Sequence, residues 1–128
     1  WVDRFEIAAY ISFSFQIRGT VSGAEAPVFF FAVFSDGKIK ANSGGAGWVQ
    51  VGSATLPVSA SVWKSIKVVA NESANTATLS VDGTPMGTVG MYPADPLNAT
   101  NLTGVCFASN GTNSYGEVIY FDDISLTN

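Results

Sequence analysis

Apolar residues in this chain recur mainly at every second position, the spacing that places them on one face of a β-strand. From Ile11 to Ile17, four apolar side chains alternate with Ser and Gln. No window of a dozen residues keeps an apolar stripe at helical spacing without Gly, Pro or a run of Ser and Thr interrupting it. The sequence therefore predicts an all-β protein whose strands mostly have one buried face.

The segment from Pro27 to Phe34 is apolar on both faces, a pattern typical of a strand covered on both sides. At the edge of a sheet such a run would promote aggregation, so we expect an internal strand. Ser35-Asp36-Gly37 predicts the turn that follows. In the next short strand, Lys38 and Lys40 are expected to share a face.

Two further alternating segments, 66–70 and 77–81, flank a polar turn and predict a hairpin. Asp82-Gly83 favours a second tight turn, and Met91 to Asn101 is predicted to be a loop. About nine or ten short strands with frequent turns are typical of a sandwich or barrel. We expect them to form one domain over residues 1–128. The remaining predicted strands are 5–7, 48–51, 86–89, 104–108 and 117–126.

The composition limits the chemistry. The chain has no His, which removes His-based nucleophile systems and imidazole metal ligands. Ten acidic and six basic residues give a net charge of −4, and no segment concentrates Lys or Arg. We therefore expect no nucleic-acid partner. The single Cys106 lies between Val105 and Phe107 and is expected to be a small buried thiol.

Four Asn-x-Ser/Thr motifs predict N-glycosylation of a secreted or cell-surface protein. Their acceptors are Asn71, Asn98, Asn101 and Asn110. The longest apolar run, 27–34, is too short to span a membrane. The chain begins at Trp1 without a signal-like segment, so we expect a processed product or a piece of a longer protein.

Four short motifs follow one another in the second half: WKSIKV at 63–68, ATLSVDG at 77–83, GV at 104–105 and GEVIYFDDI at 116–124. Their order resembles the concanavalin A-like lectin/glucanase superfamily, especially its laminin-G-like jelly rolls. In these domains a Trp opens a strand, a hairpin ends in Val-Asp-Gly, and an aromatic-Asp-Asp-Ile strand closes the fold. The resemblance implies a jelly-roll β-sandwich of two antiparallel sheets. Since the chain is short for the family, an N-terminal strand is expected to be missing, shortened or supplied by a neighbouring chain.

The resemblance also makes it possible to look for the superfamily's catalytic groups. Its glycoside hydrolases carry carboxylates at i, i+2 on one strand. Here Asp122 and Asp123 are adjacent, and adjacent strand residues point to opposite faces. Lyases of the superfamily pair a Tyr with His or basic residues, but His is absent and no motif surrounds Arg4 or Arg18. We therefore expect no enzymatic activity.

Asp122 shares one face of the predicted strand 117–126 with apolar residues, so its carboxylate needs a cation or several hydrogen-bond donors. Calcium is one interpretation, with Asp122 and Asp123 as ligands, because members of the superfamily often bind it near strand ends. The alternative is a structural carboxylate that pairs with Arg4 or Arg18, or that accepts backbone N–H bonds.

Three aromatic side chains are candidates for carbohydrate binding: Trp48 beside the glycine loop, Tyr92 beside two prolines and Tyr115 in an Asn-rich loop. A sugar site needs an exposed aromatic face beside amide or carboxylate groups. The alternative for each is packing against its own loop. Trp63 and the phenylalanines are expected in the core.

Two functions agree with these observations. The first is a non-catalytic extracellular module for glycan binding or adhesion, with a carbohydrate partner. The second is a structural or assembly subunit of a surface appendage, filament or shell, whose neighbouring subunits pair through strand edges.

Overall fold

The computed structural model describes residues 11–42, 47–56, 63–71, 73–91 and 99–109. Within these ranges the chain forms eight strands and no helix, which confirms the predicted all-β class. The strands are β1 (Ile11–Val21), β2 (Ala24–Phe34), β3 (Lys38–Asn42), β4 (Trp48–Thr55), β5 (Ile66–Asn71), β6 (Thr76–Val81), β7 (Thr84–Gly90) and β8 (Ala99–Ser109). The predicted strands at 5–7 and 117–126 lie outside the described residues.

The strands form two antiparallel sheets. The larger sheet has the order β4-β3-β2-β1-β8, and the smaller has the order β5-β6-β7. After three consecutive strands in the smaller sheet, the chain returns to the larger one, where β8 pairs with β1. The architecture is the predicted β-sandwich of two antiparallel sheets, with a jelly-roll-like return of the last described strand.

Strand β2 is internal, as its apolar run predicts, because β1 and β3 pair with its two edges. It begins earlier than predicted, at Ala24. Ser22 and Gly23 both have positive φ, which is the conformation of a tight hairpin turn, and this turn extends the β1–β2 pairing to Val21 and Ala24.

The core lies between the sheets. We call the face of the larger sheet that packs on the smaller one the inner face, and the opposite face the outer face. Phe31 on the inner face is fully buried and stacks on Phe15 of β1, with ring centroids 5.0 Å apart. Strands β5 and β6 contribute alternate residues, as predicted. The other fully buried large side chains are Phe29, Ile39, Leu79, Val28 and Val33.

Two aromatic residues predicted to lie in the core are exposed. Trp63 is 67% exposed, because it precedes β5 and does not share the inward side of the alternation that begins at Ile66. Phe107 lies next to Phe15 on the inner face but is 37% exposed. It sits on β8, at the opposite end of the larger sheet from β4, whose backbone comes close to β7 of the smaller sheet.

Strand β8 is longer than its sequence predicts. The predicted loop from Met91 to Asn101 is wrong for 99–101, which belong to β8; Ala99 and Thr100 pair with the end of β1. Asn101 has a φ of 63°, and the register between β1 and β8 shifts near this residue. The shift allows a segment without regular apolar alternation to belong to the strand. Cys106 is half-buried on the outer face, opposite Gln16, rather than fully buried as predicted.

The predicted turn at Asp82-Gly83 is confirmed, with φ of 49° and 77°. The Asp82 carboxylate accepts hydrogen bonds from the Lys64 Nζ at 2.6 Å and from the Ser65 backbone N–H at 3.0 Å. These two bonds, the Lys64 bond above all, hold the pKa of Asp82 below its ordinary value. The carboxylate therefore ties the segment before β5 to the β6–β7 turn.

We expect the stabilisation by Asp82 to depend on pH. A carboxylate with a lowered pKa in the folded protein stabilises it above the unfolded pKa of about 3.9, and the effect is lost as pH falls through the folded pKa. Asp82→Asn keeps a side chain that tolerates positive φ but removes the charge. Urea unfolding should show the variant less stable at pH 7, with the difference shrinking below about pH 4. A difference that is constant with pH would contradict an ionic role.

Candidate functional site

The outer face of the larger sheet combines aromatic, amide and basic side chains. The strand register places alternate residues of neighbouring strands side by side on this face. In one row across the sheet, Trp48, Asn42, Phe30 and Gln16 follow one another on four adjacent strands. In the next row, Gln50, Lys40 and Ala32 do the same.

Trp48 is held in place by two phenylalanine rings of β2. Its ring meets Phe30 edge-on at 5.0 Å between centroids and Phe34 at 5.6 Å, with interplanar angles of 70° and 76°. Edge-to-face geometry brings the positive edge of one ring to the negative face of another. Trp48 itself is half-buried and Phe34 is almost fully buried. The indole is therefore a fixed platform of which part reaches solvent.

Lys40 lies beside this aromatic cluster. Its Nζ is 3.9 Å from the centroid of the Phe34 ring, a cation–π contact. The contact follows from the pairing of β2 with β3, which sets Lys40 opposite Ala32, two residues before Phe34. Lys38 lies on the same face, as its spacing predicts, but its Nζ pairs with the Asp36 carboxylate at 2.8 Å.

A third basic residue on the outer face, Arg18, forms an ion pair with Glu25. Its Nε donates to the Glu25 carboxylate at 3.1 Å, and one terminal guanidinium nitrogen donates to the Gln16 Oε1 at 2.9 Å. The positive charge of Arg18 is thus shared with an acid, whereas Lys40 has no ion pair in the described part of the chain.

A separate cleft of about 250 Å³ opens where β4 faces β7. Its walls are mainly small and apolar, and include Val49, Val51, Gly87 and Val89. The strands converge at Gly52, where the β4 backbone lies against the Met86 carbonyl. Gln50 also borders the cleft, but the apolar walls belong to the inner face of β4 and to β7, so the cleft is a different surface from the aromatic cluster.

Of the three predicted sugar-binding aromatics, the structure places Trp48 in an aromatic cluster with Phe30 and Phe34. Tyr92 and Tyr115 lie outside the described residues, as do Asp122 and Asp123, the predicted calcium ligands. Among the residues that the structure describes, no group of three His, Cys, Asp or Glu side chains could hold a metal ion.

Two predicted glycosylation acceptors, Asn71 and Asn101, are exposed. The Asn71 Oδ1 accepts hydrogen bonds from the Ala74 N–H at 3.0 Å and from the Ser73 hydroxyl at 3.2 Å, which orders the β5–β6 turn. Asn98 and Asn110 lie outside the described residues. Glycosylation at these four positions stays a prediction.

Phe30, Phe34, Lys40 and Gln50 are members of the site that sequence reasoning did not single out. Phe34 is buried as predicted and Phe30 is half-buried, but a continuous apolar run does not show that their rings contact Trp48 of β4. The alternation of polar and apolar residues in β3 predicts the strand face on which Lys40 lies. It does not predict the contact with Phe34, which depends on the pairing of β2 with β3.

Comparison of the chain with family models, curated proteins and solved structures finds no match. In the described ranges, no helix is long and apolar enough to cross a membrane.

Proposed function

We propose that this chain is a non-catalytic extracellular module that binds glycans through the outer face around Trp48. The observation that carries the proposal is the half-buried indole, fixed edge-on by Phe30 and Phe34 and bordered by amide and ammonium groups. Sugars bind well to such surfaces because their C–H groups pack on an aromatic face while their hydroxyls exchange hydrogen bonds with neighbouring polar groups.

Rigidity supports this interpretation. A ring held by two others loses little conformational freedom when a ligand binds, so less of the interaction free energy is lost to ordering. The resemblance to laminin-G-like jelly rolls adds support from the sequence, and calcium at Asp122 and Asp123 belongs to the same proposal.

We expect Trp48→Ala to weaken glycan binding by at least about tenfold, because an aromatic platform of this kind contributes on the order of 1–3 kcal/mol. A glycan array followed by calorimetry on the best ligand measures the effect. Trp63→Ala is the matched control and should leave binding unchanged, since Trp63 is 67% exposed and precedes β5, a strand of the smaller sheet. Repeating the assay with calcium and with EDTA tests the metal.

An absence of binding by the wild type across the array, with calcium present, would contradict the proposal. The same preparation, examined by sedimentation velocity, would then address the alternative of an assembly subunit. That alternative is supported by Val49, which is 51% exposed at the end strand β4. Self-association without any glycan response would favour it.

A further inference from the structure

The outer face carries hydrogen-bond donors that the protein does not use. In the described part of the chain, the Lys40 ammonium has no ion pair, and neither the Trp48 indole N–H nor the Gln50 amide has a hydrogen-bond partner. Gln50 lies directly opposite Lys40, and Trp48 lies two residues before Gln50 on the same face of β4. Side chains so placed are about 5–7 Å apart at their Cβ atoms.

The other described cations on this sheet are already neutralised. Arg18 pairs with Glu25, and Lys38 pairs with Asp36. The pKa of Asp36 is lowered chiefly by its hydrogen bonds to Lys38 and least by the charge of Lys40. Its carboxylate is bound to the Lys38 ammonium at 2.8 Å and to the Lys38 backbone N–H at 3.1 Å. Lys40 therefore keeps a positive charge beside the aromatic platform that no carboxylate of the described residues neutralises.

We infer that the ligand of the outer face is an acidic saccharide, whose carboxylate or sulfate group binds the Lys40 ammonium while a sugar ring packs on Trp48. This inference rests on the proposed function and adds the chemical class of the ligand. An anion suits the site because all three groups can donate hydrogen bonds. The ammonium and the indole N–H can donate but cannot accept, and the Gln50 amide offers two N–H groups. The cation–π contact holds the ammonium on the Phe34 ring, which also contacts the indole.

The net negative charge of the chain does not attract an acidic glycan from a distance, so recognition must depend on a local contact. At −4 the protein as a whole repels anions weakly, so an acidic glycan would be selected at short range by Lys40. Binding should therefore prefer discrete acidic groups on a sugar backbone over a polyanion recognised by charge density alone.

The test compares glycans that share a backbone and differ in charge: oligogalacturonate with its methyl ester, and sulfated with desulfated oligosaccharides. We expect the acidic member of a pair to bind at least about tenfold more tightly, the size of effect typical of one charge-assisted hydrogen bond. Lys40→Met keeps an unbranched chain over Phe34 and should remove the difference between the two members. Lys67→Met, at an exposed lysine of β5 on the other sheet, is the matched control and should preserve it. An unchanged melting temperature shows that each variant is folded.

Equal affinity for acidic and neutral members would overturn the inference and leave glycan binding in place. An acidic preference that persists in Lys40→Met would also overturn it, because another cation would then be responsible. If no glycan of either kind binds, the proposed function fails and the inference fails with it. The acidic preference should also diminish between 0.05 and 0.5 M NaCl, since the screening length falls over about that range.

Discussion

Replacing Gly52 by Ala is expected to lower the free energy of unfolding by about 2–5 kcal/mol. Gly52 lies in β4 with a φ of 60°, a conformation that costs other residues about 1–2 kcal/mol. A Cβ at this position would also overlap the carbonyl oxygen of Met86, where β4 and β7 converge. Because the obstacle is backbone, relief requires the two sheets to move apart, and overpacking of this kind costs about 1–3 kcal/mol.

Gly83→Ala is the matched control for this prediction. Gly83 has a φ of 77°, but a Cβ there would meet no atom within 4 Å. Its substitution should cost only the conformational part, about 1–2 kcal/mol. Urea denaturation of both variants separates the two contributions. If both variants lost the same free energy of unfolding, the close contact between β4 and β7 would not be the cause of the Gly52→Ala effect.

Phe31→Ala is expected to cost about 3–5 kcal/mol, the range for removing a large aromatic side chain from a closed core. Phe31 is fully buried at the middle of the inner face and stacks on Phe15 with an interplanar angle of 16°. Its removal leaves a cavity that the strands on both sides cannot close. Since domains of this size are stable by about 5–15 kcal/mol, the variant should unfold at much lower urea concentration.

Phe107→Ala provides the comparison within the same face. Phe107 also approaches Phe15, with centroids 6.5 Å apart, but it is 37% exposed. We expect Phe107→Ala to lower the free energy of unfolding by less than half as much as Phe31→Ala, because folding buries less apolar surface at position 107. The midpoint of urea unfolding measures both. A larger loss for Phe107 than for Phe31 would contradict the placement of the core under β2.

Much of the fold could be predicted from short-range patterns. The alternation in β5 and β6 and the Asp82-Gly83 turn led to the correct hairpins, because these features depend on residues that are near one another in the chain. The end of β8 could not be predicted in the same way. Its pairing at Ala99 and Thr100 depends on the edge of β1, about eighty residues away in the sequence.

Of the residues in the candidate site, the sequence predicts only Trp48 as a binding residue. The place of Trp48 beside a glycine loop makes it a candidate, but its contacts with Phe30 and Phe34 depend on the pairing of β2, β3 and β4. The burial of an aromatic residue depends on which sheet covers it, and the sequence does not state the widths of the sheets. Trp63 is predicted inside but is exposed, because it lies before β5 and off the inward side of the alternation that begins at Ile66.

By itself, the period-two alternation determined that this chain folds into strands, and the doubly apolar run of β2 determined that this strand lies inside a sheet, because an exposed edge of that composition would aggregate. Tertiary structure alone decided which functional groups meet. The pairing of β2, β3 and β4 places Trp48, Phe34 and Lys40 on one surface. Register between strands is a long-range property, since it is set by the packing of a whole face rather than by the neighbours of any one residue.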